Sequence, residues 1–308
     1  MPETLEREVE VVDSIIETAD LRKTYDNVEA LAGLSLRVPR GSVCGLLGRN
    51  GAGKTTTIKV LLGMVRPTSG TARVFGLAAD DPRASVTIRS RTAFVSEDKD
   101  LYADMTIAAL LRFTAAFYPK WRADVASGYL AQLELAPEAV VKNLSRGTRT
   151  KVALLLALST GAELLILDEP MSGLDPAAAE QLLKVLVTHA GREGATVLFS
   201  SHQLADVDQI ADHIVIVDHG RIVVEGALDD VRAGYCRIQI VFPGAAPAVA
   251  FKSPGVVNVR QQGRVMSVLS SAGADGVVAE ARALSPVSVE VLPVTLKELF
   301  LETVAVEN

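Results

Sequence analysis

The chain has 308 residues, 49% of them hydrophobic, with 31 basic and 37 acidic side chains and a net charge of −6. This length allows one large domain, or one large and one small domain, with an apolar core that excludes global disorder. The acidic balance argues against binding to nucleic acid through a basic surface, so we expect no nucleic-acid partner. The two cysteines, Cys44 and Cys236, lack the spacing of a metal site or a redox motif.

The first half of the chain begins with an acidic segment, residues 1–14, that has no signal-peptide pattern and is predicted as a tail. Strand-like segments follow over about 15–47, and the sequence KTTTIKVLLGMV after a glycine-rich turn has the pattern of a helix. Residues 105–134 are predicted to be helical with an interruption at Pro119. Polar residues and a glycine interrupt the longest apolar run, residues 152–167, so no membrane-spanning helix is expected.

The second half alternates apolar strands with helices. The strand LLIL (164–167) is uniformly apolar, which is typical of a parallel sheet covered on both faces, and ATVLFSS and HIVIVD have the same character. This alternation predicts an α/β domain with a mainly parallel sheet over residues 15–226. Residues 227–235 are predicted as a linker, and the valine-rich, charge-poor residues 236–308 as a small α+β domain.

Residues 48–55 read GRNGAGKT and match the phosphate-binding pattern G-x-x-x-x-G-K-[ST]. The motif follows an apolar strand and begins a helix, a context in which backbone N–H groups and the helix N-terminus bind phosphate. Lys54 is predicted to contact the β- and γ-phosphates of a nucleotide, and Thr55 to bind Mg²⁺. The predicted nucleotide-binding residues of this loop are Gly48, Arg49, Asn50, Gly51, Ala52, Gly53, Lys54, Thr55 and Thr56.

Three polar residues follow apolar strands and are expected at the carboxyl edge of the sheet, where open α/β sheets bind ligands. Asp168 is predicted to bind Mg²⁺ together with Thr55, and Glu169 to face the attacking water. His202, at the end of the strand in FSSHQL, is predicted to contact the γ-phosphate. Without the phosphate loop, an exposed acidic strand end would be the better explanation of the two acids.

In the order and spacing of these motifs the chain resembles the nucleotide-binding subunits of ATP-binding cassette (ABC) transporters over about residues 15–226. The resemblance implies the P-loop NTPase fold of that family, with a mainly parallel core sheet, an antiparallel β subdomain and an α-helical subdomain at about 100–160. It implies ATP and Mg²⁺ as ligands, and hydrolysis with Glu169, His202 and Lys54 as catalytic residues. Tyr25 matches the family's aromatic residue that stacks on adenine, although simple packing at a strand end is the alternative.

The segment LSRGT (144–148) stands where the family has its signature LSGGQ. The resemblance implies that Ser145 and Gly147 contact the γ-phosphate bound by a second ABC ATPase in a head-to-tail homodimer or heterodimer. Arg146 and Thr148 depart from the family pattern and leave the rate of hydrolysis open.

Two further residues are implied to couple the site to its partners. Glu97 stands where the family usually has a glutamine that links the metal to the membrane partner, so it is a metal and coupling candidate; a solvated acidic loop is the alternative. Asp175, in PMSGLDP, matches the family's D-loop.

The resemblance also implies a separate membrane-spanning permease and a location at the cytoplasmic face of the membrane. Its details are similar to the subgroup that serves bacterial exporters, which often has a C-terminal extension ending like TLKELFLE. Dimer contact, regulation and simple packing all remain open for residues 236–308. Five residues are interpreted either as a docking groove for the membrane partner or as helical core: Leu101, Tyr102, Phe113, Phe117 and Tyr118.

Other functions stay in competition with transport. One is a soluble ABC ATPase that acts on ribosomes or DNA, and another is a regulatory cassette that hydrolyses ATP weakly. A P-loop GTPase is disfavoured because the chain lacks the guanine-binding pattern N-K-x-D.

Overall fold

The central sheet of the computed structural model, which describes residues 13–304, has the strands β4 (Val43–Leu47), β7 (Thr92–Val95), β8 (Leu164–Leu167), β9 (Thr196–Ser201), β10 (His213–Asp218) and β11 (Arg221–Ala227). Their order is β11-β10-β4-β9-β8-β7, and every pair is parallel except β10 with β11. Along β4, Val43 and Leu47 join one hydrophobic cluster, whereas Cys44 and Leu46 join the other. The sheet is therefore covered on both faces, which confirms the mainly parallel core.

One face of this sheet is covered by two helices and an antiparallel sheet. The strands of that second sheet are β1 (Ser14–Tyr25), β2 (Val28–Leu34), β3 (Arg37–Pro39), β5 (Ser69–Val74) and β6 (Leu77–Ala78), accompanied by the helices α1 (Lys54–Leu61) and α2 (Pro82–Ser90). Strand β1 begins at Ser14, the last residue of the predicted tail. Residues 1–12 of that tail lie outside the described residues, as do residues 305–308.

The other face carries helices, namely α3 (Ile107–Ala115), α4 (Ala123–Gln132), α5 (Arg146–Ser159), α6 (Pro176–Glu193) and α7 (Leu204–Ile210), with a 3-10 turn at Val141–Asn143. The interruption predicted at Pro119 separates α3 from α4. Helix α5 ends before Gly161, whose φ of 70° is a left-handed conformation that glycine adopts without strain. Within residues 13–304, no helix has both the length and the hydropathy to cross a membrane.

The C-terminal part comprises the helices α8 (Leu228–Gly234), α9 (Asp275–Ala283) and α10 (Leu296–Thr303) and the strands β12 (Cys236–Val241), β13 (Val256–Gln262), β14 (Val265–Ser270) and β15 (Ser288–Pro293). The strands form an antiparallel sheet in the order β13-β14-β12-β15, and α9 packs on it. The predicted linker contains helix α8, because Leu228 and Val231 lie one turn apart and are both buried. Leu296 and Leu299 of α10 join the large hydrophobic cluster that includes α5 and α6.

Candidate nucleotide-binding and catalytic site

The phosphate loop connects the end of β4 to the start of α1. Gly53 precedes the helix with a φ of 109°, and a Cβ there would lie 2.7 Å from the carbonyl oxygen of Ala30. Only glycine fits this backbone and this space. The side chain of Lys54 is only 6% exposed, and its ammonium group donates to the carbonyl oxygen of Gly48 at 2.7 Å.

A cleft opens over this loop and contains most of the predicted site. It is lined by Tyr25, Ala30, Arg49, Asn50, Gly51, Gly53, Lys54, Thr55, Thr56, Glu97, Glu169, Ser172 and His202. The remaining loop residues, Gly48 and Ala52, line an adjoining cleft that also contains His202. Tyr25 is 41% exposed, and the ammonium of Lys23 lies 4.8 Å from the centroid of its ring. The structure thus brings together residues from segments as distant as β1 and β9.

Asp168 and Glu169 are buried where β8 ends, and the hydroxyl of Ser200 connects them. Ser200 Oγ donates to Asp168 Oδ1 at 2.6 Å and accepts the N–H of Glu169 at 2.8 Å. Glu169 has a φ of 46°, a left-handed conformation that is uncommon for a residue with a side chain. Sequence reasoning missed Ser200, since a serine within an apolar strand gives no signal of its own.

The carboxylate of Glu169 lies between two groups that can carry positive charge. Its Oε2 is 2.8 Å from His202 Nδ1, and its Oε1 faces the ammonium of Lys54 at 3.3 Å. Oε1 is buried and receives no hydrogen bond from the described residues. The carboxylate of Glu169, the ammonium of Lys54 and the imidazole of His202 therefore lie together in the cleft over the phosphate loop.

Comparison with known proteins decides the family. The sequence profile described as ABC transporter matches residues 31–172. The daunorubicin/doxorubicin resistance ATP-binding protein DrrA of Streptomyces peucetius is 36% identical over 225 residues, which are 71% of this chain and 67% of that protein. The bacitracin transport ATP-binding protein BcrA of Bacillus licheniformis is 33% identical over 223 residues, 72% of each chain. The daunorubicin resistance ATP-binding protein DrrA3 of Streptomyces coeruleorubidus is 33% identical over 307 residues, 96% of this chain and 95% of that protein.

The chain belongs to the ABC transporter family. It is an ATP-binding and ATP-hydrolysing subunit, and such subunits dimerise and work with membrane-spanning permeases. Among solved structures, an ATP-binding subunit of an ABC transporter is 32% identical with a TM-score of 0.64, covering 71% of this chain and 92% of that one. A dimeric ATP-binding cassette bound to ADP and phosphate, 21% identical, shares the fold with a TM-score of 0.63 over 69% of this chain and 98% of its own.

The signature segment of this ABC subunit begins helix α5. Ser145 caps the helix: its hydroxyl accepts the N–H of Thr148 at 3.1 Å and lies 2.8 Å from the Thr148 hydroxyl. Ser145 is exposed, and neither it nor Gly147 is among the described residues that line the phosphate-loop cleft. Within one chain, the signature segment is thus separate from the nucleotide cleft.

Arg146 and Asp175 connect the signature segment and the D-loop to their surroundings. The Arg146 side chain lies against Gly173 of the D-loop. A Cβ atom added to Gly173 would lie only 2.8 Å from Arg146 Nε. Asp175 caps α6 by accepting the N–H of Ala178 at 2.9 Å. Arg146, which departs from the family's signature, therefore connects the signature segment to the D-loop, a contact that the sequence alone does not indicate.

Glu97 is exposed in the cleft, and the loop that carries it also contains a buried lysine that sequence reasoning missed. Lys99 is 5% exposed and donates to the carbonyl oxygens of Glu97 and Glu169, both at 3.0 Å. Burial, and then the positive charge of Arg146, lower the pKa of Lys99, while the nearby carboxylates oppose this shift. The only sequence signal was a basic residue within the acidic run SEDKD.

The five predicted docking or core residues divide into two groups. Tyr102, Phe113 and Phe117 are 59%, 37% and 67% exposed, and their rings meet edge to face with centroids 5.1 Å apart in each successive pair. These three are therefore not helical core. Leu101 and Tyr118 are half-buried and line a separate cleft beside β7. A docking function for the exposed aromatic residues remains a prediction.

Proposed function

We propose that this ABC subunit drives export of a small molecule from a bacterial cell. Relatives with 33% to 36% identity are named for daunorubicin/doxorubicin resistance and for bacitracin transport. The subunit binds a separate membrane-spanning permease at the cytoplasmic face of the membrane. The exposed aromatic residues Tyr102, Phe113 and Phe117 provide an apolar surface for that contact.

The proposed nucleotide is ATP with Mg²⁺. Tyr25 stacks on adenine, and the phosphate loop from Gly48 to Thr56 binds the phosphates. The donor set fits Mg²⁺, which prefers hard oxygen ligands and retains water and phosphate oxygens, so Thr55 and Asp168 suffice, with Glu97 nearby. Bound Mg²⁺ supplies neutralisation of the charge on the β- and γ-phosphates.

In hydrolysis, Glu169 Oε1 accepts a proton from the attacking water. The observation that carries this proposal is that Glu169 is buried and oriented, with Oε2 held by His202, while Oε1 makes no hydrogen bond in the described part of the chain and has only the ion pair with Lys54 at 3.3 Å. His202 also contacts the γ-phosphate, and Lys54 stabilises the negative charge of the phosphoryl group as it is transferred.

The proposed active unit is a head-to-tail dimer of this chain. Each copy contains a phosphate-loop cleft and an exposed signature segment that does not line it. Ser145 and Gly147 of one copy would complete the cleft of the other through the N-terminus of helix α5. A similar fold occurs as a dimer in the cassette structure bound to ADP and phosphate. Asp175, the proposed coupling residue of the D-loop, lies in the segment that follows Glu169.

The test of this function is the substitution Glu169→Gln. It keeps the size of the side chain and removes the base, so we expect hydrolysis to fall by at least about a hundredfold while ATP binding persists. Steady-state ATPase assays and gel filtration with ATP measure both effects, and an ATP-bound dimer should accumulate. Glu138→Gln is the matched control, since Glu138 is exposed and outside the cleft. Unchanged hydrolysis in Glu169→Gln would remove Glu169 from its proposed role.

A further inference from the structure

Lys99 is a buried cation in a loop that connects β7 to the helical region. It is 5% exposed and adopts a φ of 50°, so both its side chain and its backbone are in unusual environments. A fully buried lysine is rare in proteins unless it is partnered, because desolvation of the ammonium is costly. The hydrogen-bond partners of the Lys99 ammonium therefore indicate what this buried positive charge does.

The two partners are backbone carbonyl groups of two residues that both line the nucleotide cleft. Lys99 Nζ donates to the carbonyl oxygen of Glu97 and to that of Glu169, at 3.0 Å each. The second bond joins residues that are 70 positions apart in the chain. Hydrogen bonds from an ionised donor are about twice as strong as neutral ones, so this ammonium ties two loops firmly together.

The backbone of Glu169 needs such support. Its φ of 46° is a strained, left-handed conformation that persists only where the surroundings fix it. Ser200 holds its N–H at 2.8 Å, while Lys99 at 3.0 Å and the N–H of Ser172 at 3.1 Å hold its carbonyl oxygen. Lys99 is the charged member of this set, and it acts on the residue whose carboxylate orientation matters most.

We propose that Lys99 is a positioning residue for ATP hydrolysis, which fixes the direction of the Glu169 carboxylate by holding its peptide group. The inference rests on the proposed role of Glu169 as the base. Lys99 also lines the cleft beside β7 that contains Phe94, Leu101 and Tyr118. Lys99 therefore reaches from that cleft to the backbone of the proposed catalytic base.

Lys99→Met in the purified full chain tests this proposal, because methionine fills the space without hydrogen-bond donors. We expect kcat for ATP to fall about tenfold to a hundredfold, as loss of a charge-assisted hydrogen bond predicts. KM for ATP should stay within about twofold, since the hydrogen bonds of the Lys99 ammonium in the described structure go to Glu97 and Glu169 and not to the phosphate loop. Lys142→Met is the matched control, because Lys142 is an exposed lysine that pairs with Asp104.

A double-mutant cycle separates this proposal from the role of Glu169. If Lys99 acts through Glu169, Lys99→Met slows single-turnover hydrolysis in the wild type but adds nothing in the Glu169→Gln background. An equal slowing in both backgrounds, an unchanged kcat, or a parallel loss of kcat and of ATP binding would overturn the Lys99 proposal alone. Unchanged hydrolysis in Glu169→Gln would instead overturn the proposed base. If Lys99→Met does not fold, Lys99→Gln is assayed by the same criteria, since its shorter neutral side chain cannot hold both carbonyl groups.

Discussion

At the scale of single residues, Ser200 illustrates how one hydroxyl orders two acids. It is fully buried, donates to Asp168 and accepts from the backbone of Glu169. A hydroxyl has one hydrogen and two lone pairs, so it can make both bonds at once. Ser200 therefore sets the orientation of the proposed metal ligand relative to the proposed base.

We predict that Ser200→Ala lowers the free energy of unfolding by about 1–3 kcal/mol, because the N–H of Glu169 is left buried without an acceptor. It should also reduce kcat, since Asp168 and Glu169 lose their common contact. Denaturant unfolding and ATPase assays measure the two effects. Ser201→Ala is the control, because the Ser201 hydroxyl bonds to the backbone of Gln203 and to the Asp206 side chain, and not to Asp168 or Glu169 in the described structure. Equal rates for the wild type and Ser200→Ala would contradict this role.

At the scale of elements, helix α10 links the C-terminal part to the ATPase core. Its N-terminus has a capping box in which Thr295 and Glu298 bond each other's backbone. Leu296 and Leu299 are buried in the large core cluster, and Phe300 lines the cleft that contains His202 and the start of the phosphate loop. Among the three functions left open for residues 236–308, these contacts favour packing against the core.

The prediction for α10 compares two leucines on one helix. Leu299 is 3% exposed, so Leu299→Ala should lower the free energy of unfolding by about 2–5 kcal/mol, through lost burial and the cavity left behind. Leu301 is 47% exposed, and Leu301→Ala should change stability by about 0.5 kcal/mol or less. Denaturant unfolding of the full chain decides between them. Similar small effects at both positions would mean that α10 does not dock on the core in solution.

At the scale of the whole molecule, each chain holds two halves of the proposed catalytic site, and these halves do not meet within the chain. The first half is the cleft with Lys54, Glu169 and His202, and the second is the start of α5, where Ser145 is exposed and Gly147 is half-buried. A head-to-tail dimer joins unlike halves, so each site combines residues of two subunits.

This arrangement predicts complementation between two inactive variants. Lys54→Ala destroys the phosphate-loop half, and Ser145→Arg blocks the signature half while leaving ATP binding intact. In an equal mixture that exchanges subunits, about a quarter of the wild-type ATPase rate should return, because half of the dimers have one intact site of two. Each variant measured alone is the control. Mixed dimers that form without any recovery would exclude the proposed geometry.

Much of the fold and of the candidate site follows from local sequence patterns. The uniformly apolar strands require a sheet covered on both faces, and GRNGAGKT between a strand and a helix requires a phosphate loop. Asp168, Glu169 and His202 were predicted at one sheet edge because parallel strands end on the same side. The linker at residues 227–235 is predicted from a change in composition, and the structure shows helix α8 within it.

The sequence by itself determined the α/β class, the phosphate loop and the family, because each of these depends on the order of residues along a short segment. Only the tertiary structure showed that Lys99 holds Glu169, that Ser200 joins two acids, and that α10 packs on the core. It also placed Arg146 against Gly173. These contacts join segments far apart in the chain, and the packing of the whole domain decides which distant side chains meet.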